Sequence, residues 1–212
     1  MGRVRIHDLL DGKWEDGTRP KDIFSIYVMR DPAGYAEDII QGLKSENRRV
    51  QSGCAELASL LSEREPVILY QYLETFQKNL LATEPVVRWE AVCTLGNLAC
   101  ADDDQRIRQN VEKIAEFLKD RSIVLQGHAA RALAKIATAF PDLSPRILDR
   151  LINSKDCFPG NRIGFIIESA RAFGKDKRLA AKVRRFVEPY IASDIKSVAS
   201  KARKTMKSVG PR

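Results

Sequence analysis

Apolar residues recur every three or four positions through VVRWEAVCTLGNLA (residues 86–99), where Val87, Ala91, Leu95 and Leu98 form one stripe along a helix. The stripe returns along the chain. A step of 38 residues forward lands on QGHAARALAKI (126–136), where Ala91 meets Ala129, Leu95 meets Leu133 and Leu98 meets Ile136. A step of 38 back lands on VQSGCAELASL (50–60), with Leu57, Ala58 and Leu60 under Leu95, Gly96 and Leu98. From residue 126 a step of 40 reaches IIESARAFGK (166–175), where Arg131, Ala132, Leu133 and Ala134 meet Arg171, Ala172, Phe173 and Gly174. A further step of 33 reaches ASKARKTMKSV (199–209), in which Ala202, Met206 and Val209 keep the apolar beat. Self-similarity at this period is the mark of a repeat architecture.

Small residues within the copies (Ala91, Gly96, Ala129, Ala130, Ala134, Ala170, Gly174) let neighbouring helices approach closely. Glu46, Asp120 and Asp194 each stand four residues before the valine that opens a copy, where an acid favours a helix start through capping and the helix dipole. Between these first helices the pattern predicts second ones: 64–82 with Pro66 in its first turn, 102–120 opening on Asp102 to Asp104, a shorter 143–153, and an amphipathic 176–192 that bends or ends at Pro189. The three aspartates read as an acidic helix start rather than a metal cluster, because no further carboxylates converge nearby in sequence.

Residues 32–45 predict a helix leading into the first clear copy, and 22–30 is assigned to a helix despite its β-branched and aromatic content. Residues 1–20, with Gly12, Gly17 and Pro20, read as irregular. The expected organisation is an irregular N-terminal segment with a possible helix over 1–31, then a repeat array with a basic C-terminal cap over 32–212.

A unit of two antiparallel helices, with V-R, small residues and an L-G-x-L close on its first helix, resembles the HEAT repeat of the armadillo-type superfamily. The resemblance covers roughly residues 32–209 and is carried best by VVRWEAVCTLGNLA. It implies an all-α, right-handed α-solenoid of four to five antiparallel helix pairs, an armadillo-type superhelix. It also implies a binding role, with the second helices lining a concave face that holds a protein partner. Armadillo repeats carry three helices per unit, whereas two are found here. Two smaller branches of similar repeats are enzymes: DNA glycosylases of alkylation repair and phycobilin lyases.

Composition narrows the classes. With 44% apolar and 30% charged residues, the 212-residue chain can bury a sizeable core and is too apolar for wholesale disorder. No run approaches the 18 or so apolar residues of a membrane span, and the N-terminus lacks both a signal-peptide core and a myristoylation pattern. A cytoplasmic protein is expected. Cys54, Cys93, Cys100 and Cys157 form no C-x-x-C pair and lie near no histidine, so buried thiols are expected rather than zinc or disulfides.

Charge is uneven. The net charge is +8, and from Gly174 onward 12 Lys or Arg face three acids, so this tail carries +9 and residues 1–173 sum to −1. Such an end suits an acidic partner (nucleic acid, a phosphorylated protein, an anionic surface) or simply a solvated cap. Within the second helices Arg108, Arg146 and Arg184 stand 38 apart, with Arg106, Lys113, Lys182, Arg150 and Arg185 nearby. On a common face this column is a ridge able to follow a phosphate backbone without reading bases. Alternatively, the cations pair with acids such as Glu112, Asp149 and Glu188.

Catalytic signals are sparse. His7 and His128 are the two histidines, His128 reading as a helix-face or packing residue, and no nucleophile elbow, Walker loop or dinucleotide fingerprint occurs. The aromatic cluster and aspartate that mark the glycosylase branch are not evident. Trp89 points away from the Val87–Leu95 stripe and is expected to pack on an adjacent repeat or lie partly exposed. The sequence thus supports a non-enzymatic HEAT-like scaffold, without cofactor or metal, that binds a protein partner on its concave face. The alternative is a nucleic-acid-binding or DNA-repair solenoid using the basic ridge.

Overall fold

The computed structural model describes residues 4–210. Their regular structure is helical, with no strand among them, and none of their helices is long and apolar enough to cross a membrane. Two compact units divide the chain at 104/105, a point inside the span read as one array.

The first unit holds α1 (Ile6–Leu10), α2 (Pro20–Ile26), α3 (Pro32–Gly42), α4 (Arg48–Arg64), α5 (Pro66–Tyr70), α6 (Leu73–Asn79) and α7 (Pro85–Leu98). Proline opens α2, α3, α5 and α7, where its missing N–H costs nothing and its fixed φ suits the first turn. The long α4 packs against α3 on one side and α7 on the other, and α6 covers α7. The second unit holds α8 (Val111–Glu116), α9 (Ile123–Ala139), α10 (Ser144–Asn153), α11 (Ile163–Ala170), α12 (Ala180–Val187) and α13 (Lys196–Ser208). Here α9 packs on α8, α10 and α11, and α11 packs on α13.

The repeated stripe is the core in both units. Leu57, Leu95 and Leu133 are fully buried, as is Phe173 to within 2%. Their common register thus reflects a common burial, each first helix sealing its stripe against its neighbours.

Several expectations change. The N-terminal segment is not irregular throughout: α1 buries Ile6 and Leu10, and α2 buries Ile23 and Phe24, both packing on α4. Gly53 of α4 permits this docking, since a Cβ there would come within 2.6 Å of a Leu10 methyl. Arg49 also donates to the Gly12 carbonyl at 2.8 Å, and the Trp14 indole to that of Leu10 at 3.2 Å.

The helix expected over 64–82 is two, α5 and α6, whose Leu69, Leu73 and Phe76 remain buried. Asp102 to Asp104 do not form the first turn of the next helix. Asp102 is buried and accepts a hydrogen bond from the Tyr70 hydroxyl at 2.5 Å. Gln105, at φ 59°, then turns the chain through the left-handed region into a 3₁₀ turn at Arg106–Asn110 that precedes α8. The caps are also displaced from the expected acids. Asn47 caps α4 by accepting from the amides of Arg49 and Val50, and Ser122 caps α9 by accepting from that of Leu125. Asp120 instead holds the Ser122 amide at 2.7 Å, and no side chain caps α13.

None of the four cysteines is in a disulfide, and only Cys54 is buried; Cys93 and Cys157 are half-buried and Cys100 is exposed. Burial pushes the Cys54 thiol up to about 12, so it packs as a small apolar group and stays protonated.

Candidate functional site

The two units differ sharply in charge. Residues 1–104 carry 12 Lys or Arg against 18 acids, a net −6, while residues 105–212 carry 24 against 10, a net +14. The positive excess therefore belongs to the whole second unit and not to its tail alone.

Most of that unit's second-helix cations are committed. Arg108 meets Asp142 through two hydrogen bonds and lies over the Phe140 ring at 5.5 Å. Its guanidinium donates to Asp142 and holds that carboxyl below the usual carboxylate range. Arg146 and Arg150 of α10 both close on Glu112 of α8, at 2.7 and 2.6 Å. Lys182 of α12 pairs with Asp149 of α10. Lys113 pairs with Glu116 at 2.9 Å and sits over Phe117. Arg184 donates to the Gly210 carbonyl at 2.7 Å, tying the end of the chain to α12. Arg185 is exposed. The second helices are thus joined by a ladder of Arg146 and Arg150 to Glu112 and of Lys182 to Asp149, while Arg108 and Arg184 of the column bond elsewhere. Pairs this exposed contribute only about 0–1 kcal/mol each. They offset the ridge in part, since five cations (Arg108, Lys113, Arg146, Arg150, Lys182) meet four carboxylates (Asp142, Glu116, Glu112, Asp149).

A second basic surface lies on the first helices. Between α9 and the segment from α11 to Lys175 runs a groove of about 510 Å³, lined by Arg131, Lys135, Arg171 and Lys175. Small residues, Ala134, Ser169 and Ala172, also line it. The one carboxylate among its lining residues, Glu168, is held by Lys201 of α13 at 2.9 Å. Among the described residues no carboxylate pairs with Arg171 or Lys175. Ser169 is 4% exposed, and its hydroxyl finds no hydrogen-bond partner there.

Arg131 is held in place from two sides. It donates to His128 Nδ1 at 3.3 Å and lies over the Phe165 ring at 5.8 Å. Lys201 lies over the same ring at 5.4 Å. His128 is half-buried, and its burial, with Arg131 alongside, lowers its pKa from 6.5 to about 4. The ring is therefore neutral at pH 7 and can accept from Arg131. The folded state binds this proton less readily than the unfolded chain, so His128 contributes stability above about pH 6.5 that is lost as pH falls towards about 4. For a partly exposed ring the loss is about 1–3 kcal/mol. His128→Gln should accordingly lose less stability than the wild type between pH 7 and 4.5 in urea titrations. Equal losses in the two proteins would contradict the assignment.

The groove's cations were legible in the repeat alignment. The step of 40 that sets Leu133 on Phe173 also sets Arg131 on Arg171 and Lys135 on Lys175. Regular spacing drew attention to the second helices instead, and spacing does not reveal which cations meet acids. Trp89 is half-buried and donates to Glu90 at 3.2 Å. No three His, Cys, Asp or Glu side chains among the described residues converge as metal ligands would.

This is the build of a helical repeat array, with helices packed on shared apolar stripes. Solved structures of that build resemble it over nearly their whole lengths. An engineered protein matches with TM-score 0.64 and 17% identity, over 96% of this chain and 88% of that one. A designed armadillo repeat protein matches with TM-score 0.63 and 15% identity, over 99% and 100%. Computationally designed armadillo repeat proteins for modular peptide recognition match with TM-score 0.62 and 16% identity, over 97% and 90%. No protein-family model and no curated protein sequence matches the chain. The chain has the armadillo/HEAT-like α-solenoid fold.

Proposed function

We propose that the chain is a non-enzymatic scaffold that holds a protein partner on the exposed face of its first helices in the second unit. The observation that carries this reading is the groove of about 510 Å³ between α9 and the segment from α11 to Lys175, lined by both small residues and cations. The likeness to repeat proteins designed for peptide recognition supports it as a use to which this fold is suited. The partner surface expected from the repeat pattern was the second helices. Arg146, Arg150 and Lys182 there already meet Glu112 and Asp149, which favours the first helices as the partner surface.

Ala172 is exposed on the groove, so Ala172→Trp fills it without changing charge. The full chain should capture a partner from native lysate whether or not nuclease is present. Ala172→Trp should lose that capture at least tenfold while unfolding at the same temperature. Capture that disappears with nuclease, or that ignores Ala172→Trp, overturns the proposal.

A further inference from the structure

We infer that the groove between α9 and α11 takes an extended run of consecutive acidic residues, such as a Glu- or Asp-rich peptide tail; this rests on the scaffold reading above. The inference follows from the disposition of the cations. Arg131 and Lys135 lie one turn of α9 apart on one wall; on the other, Arg171 opens the 3₁₀ turn Arg171–Phe173 and Lys175 follows just beyond it. Four residues of α-helix advance about 6 Å. An extended chain advances about 6.6–6.8 Å per two residues and sends successive side chains to opposite sides. A peptide lying along the groove therefore presents side chains 1 and 3 to one wall, nearly in step with Arg131 and Lys135, and 2 and 4 to the wall that carries Arg171 and Lys175. Four consecutive carboxylates fit this arrangement, and an alternating acidic and apolar sequence does not.

Three further features favour such an occupant. Ala134, Ser169 and Ala172 keep the lining small, so a backbone can approach closely. Ser169 offers a buried hydroxyl without a hydrogen-bond partner among the described residues, the group a peptide carbonyl or amide would satisfy. Arg131 is already fixed by His128 and Phe165, so less side-chain freedom is lost when its planar fork closes on a carboxylate. Glu168 bounds the site chemically and is engaged by Lys201.

A nucleic acid would bring anions at a similar spacing, about one per 3.4 Å of strand, but also bases for which the lining offers no aromatic face. The observations favour the peptide.

Fluorescence anisotropy of the full chain with labelled octaglutamate, octaglutamine and an eight-nucleotide single strand tests the inference. Octaglutamate should bind and weaken with salt, and octaglutamine should not bind. Arg131→Gln with Arg171→Gln should weaken octaglutamate at least tenfold at an unchanged unfolding temperature. Arg146→Gln with Arg150→Gln, on the ladder, should change it less than twofold. No binding of octaglutamate, equal losses in the two double variants, or tighter groove-dependent binding of the oligonucleotide overturns the inference. If octaglutamate fails while nuclease-resistant capture is still lost in Ala172→Trp, the scaffold reading stands and the acidic class is wrong. If both fail, both fall.

Discussion

Replacing Leu95 with alanine should lower the unfolding free energy by about 2–5 kcal/mol in urea titrations. Leu95 has no solvent exposure and sits at the centre of α7, on the stripe that also contains Val87, Ala91 and Leu98. Truncation removes about three methylene equivalents of burial and leaves a cavity between helices that cannot collapse freely, because α4 and α6 both pack on α7. Leu81, 73% exposed, provides the matched control. The same substitution there should change stability by less than about 0.5 kcal/mol. Similar costs at the two positions would mean that the register shared with Leu57 and Leu133 is not the core.

Gly42→Ala should also destabilise, by about 1–3 kcal/mol, despite alanine's better helix propensity. Gly42 closes α3 where it meets α4, and a Cβ there would lie 2.2 Å from Cys54 Sγ. The thiol is fully buried, so it has no empty rotamer to swing into. Cys54→Ala removes the clashing atom and leaves the Cys54 Cβ at 3.2 Å, a tight but tolerable contact. The double variant should therefore recover much of the loss, with a coupling well outside additivity. Strictly additive costs would show that α3 and α4 do not meet as described.

The fold was largely legible because helix burial is periodic in sequence. The steps of 38 and 40 residues set Leu57, Leu95, Leu133 and Phe173 on one position, and all four proved buried. Where the period was too short to count, legibility failed. The helix α1 has five residues and two buried side chains, too few to stand out between glycines, and it is held in place by docking on α4 at Gly53. The break between α5 and α6 left no mark either, since Leu69, Leu73 and Phe76 keep helical spacing across it.

The candidate site was less legible, for a different reason. Arg146 and Arg150 lie 34 and 38 residues from Glu112, and Lys182 lies 33 from Asp149. The acids were named as possible partners, but whether the pairs close depends on how successive second helices pack. Likewise Arg131, Lys135, Arg171 and Lys175 aligned in sequence without showing that they border one groove.

Hydrophobic periodicity alone was sufficient for the long helices, the shared core register and the repeat architecture, because burial acts on a face and a face has a period. Packing alone decided which cations meet acids, because ion pairing acts over about 3–4 Å between residues far apart in the chain.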